Sequence, residues 1–161
     1  MIILGIDPGL ANTGWGVIEQ RGAKKRALAY GCVNTMPTEH VLTRLEHIYD
    51  EMLKIIERYK PIEVGIESIF FGANAKSALS TGQASGAVMI AAAKSSLSVS
   101  EYSPTQIKQV MVGQGRAEKQ QVLYMVKAML GLDHEPSPDH ASDALAVALC
   151  HAKMRAVLYS R

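Results

Sequence analysis

Apolar residues fall along this chain in two rhythms, and the switches between them outline its elements. Ile2-Ile3-Leu4-Gly5-Ile6 is a short continuous apolar run closed by Asp7, which suits a strand buried on both faces. Asp7-Pro8-Gly9 then breaks the run with turn-forming residues. Thr13–Glu19 and Ala27–Thr35 read as the next two strands, joined by a basic connection carrying Arg21, Lys24, Lys25 and Arg26. Hairpin-linked strands at the start imply an antiparallel part of the sheet. A spacing of three and four then sets in at Val41, Leu42, Leu45, Ile48, Met52, Ile55, Ile56 and Tyr59. It predicts a long helix capped by Thr38 and stopped by Pro61.

Residues 62–67 return to the strand pattern, and a helix rich in Ala, Ser and Gly follows over 76–94. A short strand over 97–102 precedes a helix over 104–111, which ends before Gly113-Gln114-Gly115. Ala117–Leu130 is amphipathic and stops at Gly131. The last helix is expected over 138–153, with Ser137 as N-cap and Pro138 at its first position. The order β-β-β-α-β-α-β-α-α-α predicts an α/β fold: a mixed sheet with helices on its faces, in one domain over residues 1–161.

Composition narrows the class without naming a function. Hydrophobic content of 48% is ordinary for a globular protein, and a net charge of +2 permits a polyanionic partner without demanding one. Any nucleic-acid reading must therefore rest on where the charges lie. The N-terminus opens on a strand-like run with no basic leader, and Ser77–Ala93, though free of charge, is too polar for a membrane span. Cys32 and Cys150 stand far apart with no C-x-x-C partner, so they read as free thiols. A cytoplasmic protein without membrane association is the expectation.

Three carboxylates change the picture. Asp7 and Glu67 each end an apolar strand, and Asp143 opens the apolar stretch Ala144–Leu149. Taken singly each has an ordinary explanation: a turn cap, a partner for a basic residue, a helix-dipole contact. Together they put acids on three core-forming elements, where unpaired charge is costly. The first and fourth strands, if neighbours, bring residues 7 and 67 to one carboxyl edge, where open α/β sheets build their sites. The last helix can add Asp143 to that edge, with His140 three residues and Asp139 four residues before it, so either can share its face. Such a hard-oxygen cluster suits Mg²⁺ or Mn²⁺, and two such ions ~4 Å apart support phosphodiester cleavage.

The motifs Leu4-Gly5-Ile6-Asp7-Pro8-Gly9, Thr13-Gly14-Trp15-Gly16, Glu67-Ser68-Ile69-Phe70-Phe71, Gly82-Gln83-Ala84-Ser85-Gly86, Val112–Lys119 and His140-Ala141-Ser142-Asp143-Ala144-Leu145 occur in that order across nearly the whole chain. The set resembles the RuvC family of bacterial Holliday junction resolvases. The resemblance implies a ribonuclease H-like fold, a homodimer, and Mg²⁺-dependent nicking of two strands of like polarity across a four-way DNA junction. It also implies, as partners, the junction-binding and branch-migration proteins of the same pathway. Position by position, Asp7, Glu67 and Asp143 match metal-binding catalytic carboxylates. The fourth position, often Asp in the family, carries His140 here, with Asp139 displaced by one. Register favours His140; helix geometry leaves Asp139 eligible.

DNA-facing candidates follow from the same match. Phe70 and Phe71 lie just after Glu67, where they either pack into the core or stack on an unpaired base. The resemblance places the junction-probing aromatic at Phe70. Lys108 and Lys119 match basic positions near the family's active site. Lys76, Arg116 and the Arg21–Arg26 cluster are further candidates for a phosphate-binding surface and rank lower, because solvated faces are the common reason for isolated basic residues. Backbone N–H groups over Gly113–Gly115 are a further phosphate candidate. The small-residue helix with Ala78, Gly82, Ser85, Gly86 and Ala93 either packs tightly on its sheet or forms the dimer contact.

Three rivals have distinct signatures. Another ribonuclease H-like nuclease, acting in RNA processing, is not expected to carry the Phe70 loop or the 112–119 block. A sugar kinase of the actin-like class shares the first phosphate loop but needs two such domains. A non-cleaving junction scaffold has no use for the retained acids.

Overall fold

Strand alternation in the first six residues of the sheet decides which side of it holds the chemistry. The computed structural model describes residues 1–69 and 74–158. It contains β1 (Ile2–Asp7), β2 (Asn12–Arg21), β3 (Lys24–Asn34), α1 (Val41–Tyr59), β4 (Glu63–Glu67), α2 (Ala75–Lys94), β5 (Ser98–Tyr102), α3 (Pro104–Val112), α4 (Lys119–Leu130) and α5 (Asp139–Leu158). The five strands lie in the order β3-β2-β1-β4-β5. β1–β2 and β2–β3 are antiparallel, whereas β1–β4 and β4–β5 are parallel. This is the mixed, helix-flanked sheet of the ribonuclease H-like fold.

Side chains of alternate residues leave β1 on opposite faces. Leu4 and Ile6 join Val17, Val64 and Ile66 under α1 and α2, packing against Ile48, Met52, Val88 and Ala91. Ile3 joins the other core, under α3, α4 and α5, with Ile107, Val126, Leu145 and Leu149. Gly5 and Asp7 share the parity of Ile3, so Asp7 emerges on the α5 side.

Glycines set how close α5 can come. Gly65, Gly5 and Gly16 lie side by side across β4, β1 and β2. A Cβ on Gly5 would stand 2.1 Å from the Ala144 carbonyl oxygen, and one on Gly14 would stand 1.9 Å from that of His140. The sheet thus presents a shallow groove filled by α5, whose residues Ala144 to Cys150 are all buried. A helix apolar on every side belongs inside a layered core, and α5 does.

Helix starts differ from the sequence expectation in three places. α1 begins at Val41 because residues 36–39 close a turn, with Glu39 N–H donating to the Met36 carbonyl and Met36 N–H to the Glu39 carboxylate. His40, not Thr38, is its N-cap and accepts from Leu42 N–H through Nδ1. α4 begins at Lys119, two residues later than Ala117, because Glu118 N–H is satisfied by the Gln121 side chain at 2.9 Å. α5 begins at Asp139 and runs to Leu158, beyond residue 153; the Pro138 carbonyl accepts from Ser142 N–H, which puts Pro138, not Ser137, at the cap.

Candidate active site

Asp7 and Glu67 each stand one residue beyond Ile6 and Ile66, which are paired across the parallel β1–β4 ladder. The ladder therefore delivers both carboxylates to the same edge on the α5 face. The first turns of α5 descend onto that edge, because Gly14 lets the His140 backbone lie against β2. Asp7, Glu67, His140 and Asp143 all line one cavity of about 400 Å³, whose wall also includes Pro104, Lys108, Lys119 and Val122.

His140 Nδ1 lies 2.8 Å from Asp7 Oδ2. With Asp7 ionised, Nδ1 carries the shared proton, and in the neutral ring Nε2 is then the nitrogen with a free lone pair. One ligand atom from each of Asp7, His140 and Asp143 falls within 4.8 Å of the others, a group able to hold a cation. Glu67 lines the same cavity outside that tight group. Asp139 turns away from it: its side chain is 82% exposed and meets Lys119 Nζ at 3.2 Å. Lys119 also reaches Asp143 at 3.4 Å.

The electrostatics are those of crowded acids short of positive charge. Burial pushes Glu67 up to about 7, and repulsion from Asp7 and Asp143 adds to it, with Lys108 and Lys119 pulling the other way. Burial also raises Asp7; the His140 hydrogen bond opposes that rise and Asp143 reinforces it. Burial depresses Lys119, but its bonds to Asp139 and Asp143 outweigh it and hold the amine above its usual value. Two carboxyls raised by burial in one cleft are a signature of a site that works with charge. A cation among them would lower both values, and the donor set of carboxylates and imidazole fits Mg²⁺ or Mn²⁺.

The other expected contacts sort by position. Lys108 and Lys119 stand in the cavity wall. Lys76 lines a neighbouring cavity that shares His140 with the first. Arg116 is exposed and outside the catalytic wall. The Arg21–Arg26 hairpin lies at the other end of β2: Asp7 pairs with Gly14, and the strand from Gly14 to Arg21 at ~3.3 Å per residue puts its tip roughly 23 Å from the carboxylates. It is not part of the lining of their cavity, and Arg21 and Arg26 are paired with Glu19. Gly113 is no anion cradle either: it sits at φ 87° as the left-handed cap of α3, and its N–H is spent on Gln109. Phe70 and Phe71 lie outside the described residues. Arg44, which shares the neighbouring cavity with Lys76, has no distinguishing mark in the sequence, because it reads there as one polar position of an amphipathic helix.

A family model, crossover junction endodeoxyribonuclease RuvC, matches residues 3–151. The chain belongs to the RuvC family. It is 50% identical over 152 residues to the crossover junction endodeoxyribonuclease RuvC of Heliobacterium modesticaldum, covering 94% of each chain. It is 49% identical over 152 residues to that of Moorella thermoacetica, covering 94% of this chain and 91% of the relative. Among solved structures, Thermus thermophilus RuvC in complex with a Holliday junction substrate matches with a TM-score of 0.94 at 39% identity, covering 98% of this chain and 96% of that one. The shared RuvC fold spans both the sheet edge and the helix that carry the cavity.

Proposed function

We propose that this chain is a divalent-metal-dependent endonuclease that resolves four-way DNA junctions in recombination and repair by paired, symmetric nicks. The observation that carries the reading is the convergence of Asp7, Glu67, His140 and Asp143 in one cavity walled by Lys108 and Lys119, in a chain of the RuvC family. Asp7, His140 and Asp143, with Glu67 beside them, would hold Mg²⁺ (Mn²⁺ is chemically admissible), two ions per site. When bound, the ions supply positive charge for the attacking water and the leaving oxygen.

The chain's own groups do the rest. His140 Nε2, free while Nδ1 is held by Asp7, accepts a proton from the attacking water or ligates directly. Lys119 steadies Asp143 and, with Lys108, offsets the negative charge of the phosphodiester. Asp139 serves by engaging Lys119 and favouring the start of α5. Phe70 is assigned to the unpaired bases at the branch point, with Phe71, Lys76 and Arg116 as further DNA contacts.

Paired nicks require two sites about a two-fold axis, hence a homodimer. α2 supplies a candidate face: Ala84, Ser85, Val88 and Ala91 are buried against the body of the protein, while Leu79 and Ile90 are 66% and 56% exposed. A Cβ on Gly86, on that outer side, would meet nothing. The single domain works in the cytoplasm, where junction-binding and branch-migration proteins deliver the substrate.

The direct test separates binding from chemistry. Asp7→Asn is expected to retain junction binding in a mobility-shift assay and to lose Mg²⁺-dependent nicking by ~100-fold or more. Nicking near the wild-type rate would reject the assignment.

A further inference from the structure

On the side of His140 away from Lys108 and Lys119, the surface dips into a second cavity of about 420 Å³. Its walls are the β1–β2 turn (Gly9–Asn12), Arg44 of α1, and Lys76, Ser77 and Thr81 of the first turns of α2. His140 lines this trough and the catalytic cavity alike, so the two adjoin at this residue. Two cations face the trough, and no carboxylate contributes to its wall among the described residues.

Arg44 is held in place before any ligand arrives. Its Nε donates to Thr35 Oγ1 at 2.7 Å. Thr35 is only 7% exposed, and its hydroxyl donates to the Leu10 carbonyl, in the very turn that walls the trough. This chain of bonds fixes the guanidinium and leaves its two terminal nitrogens without a side-chain partner among the described residues. A guanidinium aimed in advance loses less freedom on binding and matches two phosphate oxygens at once. Basic groups thus flank the carboxylates on both sides: Lys108 and Lys119 on one, Arg44 and Lys76 on the other.

We propose that this trough is a second phosphate subsite, which takes the backbone phosphate neighbouring the scissile one on the cut strand. Arg44 is its main contact, and Thr35 is the positioning residue that aims it. The inference rests on the reading of the chain as a junction nuclease. It adds a grip on the flanking nucleotide, which holds the strand across the carboxylates and resists its sliding past them.

The test measures equilibrium binding of a synthetic four-way junction across a salt series without divalent metal. Arg44→Gln is expected to bind several-fold more weakly and to lower the slope of log K against log salt by about one. Arg44→Lys should recover the slope but not the full affinity, because the charge returns without the two-pronged geometry. Thr35→Val should keep the slope and lose affinity. Lys25→Gln, on the distant hairpin, should change neither. If Arg44→Gln melts early, the Arg44→Lys and Thr35→Val pair carries the test. Wild-type slope and affinity in the Arg44 variants, or an equal loss in Lys25→Gln, would overturn the subsite. Nicking of the same junction by the wild type in Mg²⁺ is read alongside: its absence rejects the nuclease reading, whereas intact nicking with an unchanged Arg44→Gln slope rejects the subsite alone.

Discussion

His140 and Asp139 are adjacent in sequence and opposite in circumstance. One is bonded to Asp7 inside the cavity, and the other is a solvent-facing partner of Lys119. His140→Ala is therefore expected to slow junction nicking by ~100-fold or more, while Asp139→Ala stays within a few-fold of wild type. Single-turnover cleavage rates measure both, and the reverse ranking would transfer the fourth role to Asp139. Glu67 gives a second prediction, in stability. Its carboxyl sits at about 7 in the fold against an ordinary 4.5, so the native state holds a proton that the unfolded chain has already released. Stability must then fall as pH rises through that window. In chelator, Glu67→Gln should flatten the decline in melting temperature between about pH 5 and 8. Added Mg²⁺ should raise the wild-type melting temperature at the upper end more than that of the variant. Parallel melting curves for the two proteins would contradict this.

At the scale of elements, the site depends on how deeply α5 sits in the sheet. Gly14 has no room for a methyl group, since a Cβ there would fall 1.9 Å from the His140 carbonyl oxygen. Gly14→Ala must push the start of α5 away from β2 and carry His140 with it. Overpacking of this kind costs ~1–3 kcal/mol, and a displacement of ~1 Å at a reacting group can cost ~100-fold in rate. The expected variant is folded, melts several degrees lower and nicks far more slowly; wild-type cleavage would show that the close approach is not needed. The strand carboxylates were partly legible in the sequence: an apolar run ending in acid marks the carboxyl end of a strand, but the observed β1–β4 pairing is what brings residues 7 and 67 to one edge. The joining of His140 to Asp7 was half legible: helical spacing put His140 beside Asp143, but only the β1–α5 packing set it against Asp7. Arg44 was not legible at all, because its role comes from Thr35 and Leu10, which the fold brings to it from other elements. Helix starts slipped for a similar reason. Local hydrogen bonds around Met36 and Glu39, and the Gln121 side chain at Glu118, compete with the propensity of Thr38 and Ala117.

The whole molecule reads as one sheet edge with acids at its centre and basic residues on either side, and an α2 face with Leu79 and Ile90 exposed, the face proposed to meet a second copy. The basic hairpin at the opposite end takes no part in that arrangement. The central claim is that this geometry cuts branched DNA, in pairs, and needs a divalent ion to do so. The measurement that tests it most directly maps the cleavage products of a strand-labelled synthetic four-way junction, beside a matched duplex and an RNA–DNA hybrid, with Mg²⁺ and with chelator. Nicks are expected at symmetric positions in two opposing strands of the junction, only with Mg²⁺, with little cleavage of the duplex or hybrid. Comparable cleavage of the RNA–DNA hybrid, or junction binding with no Mg²⁺-dependent nick, would contradict it.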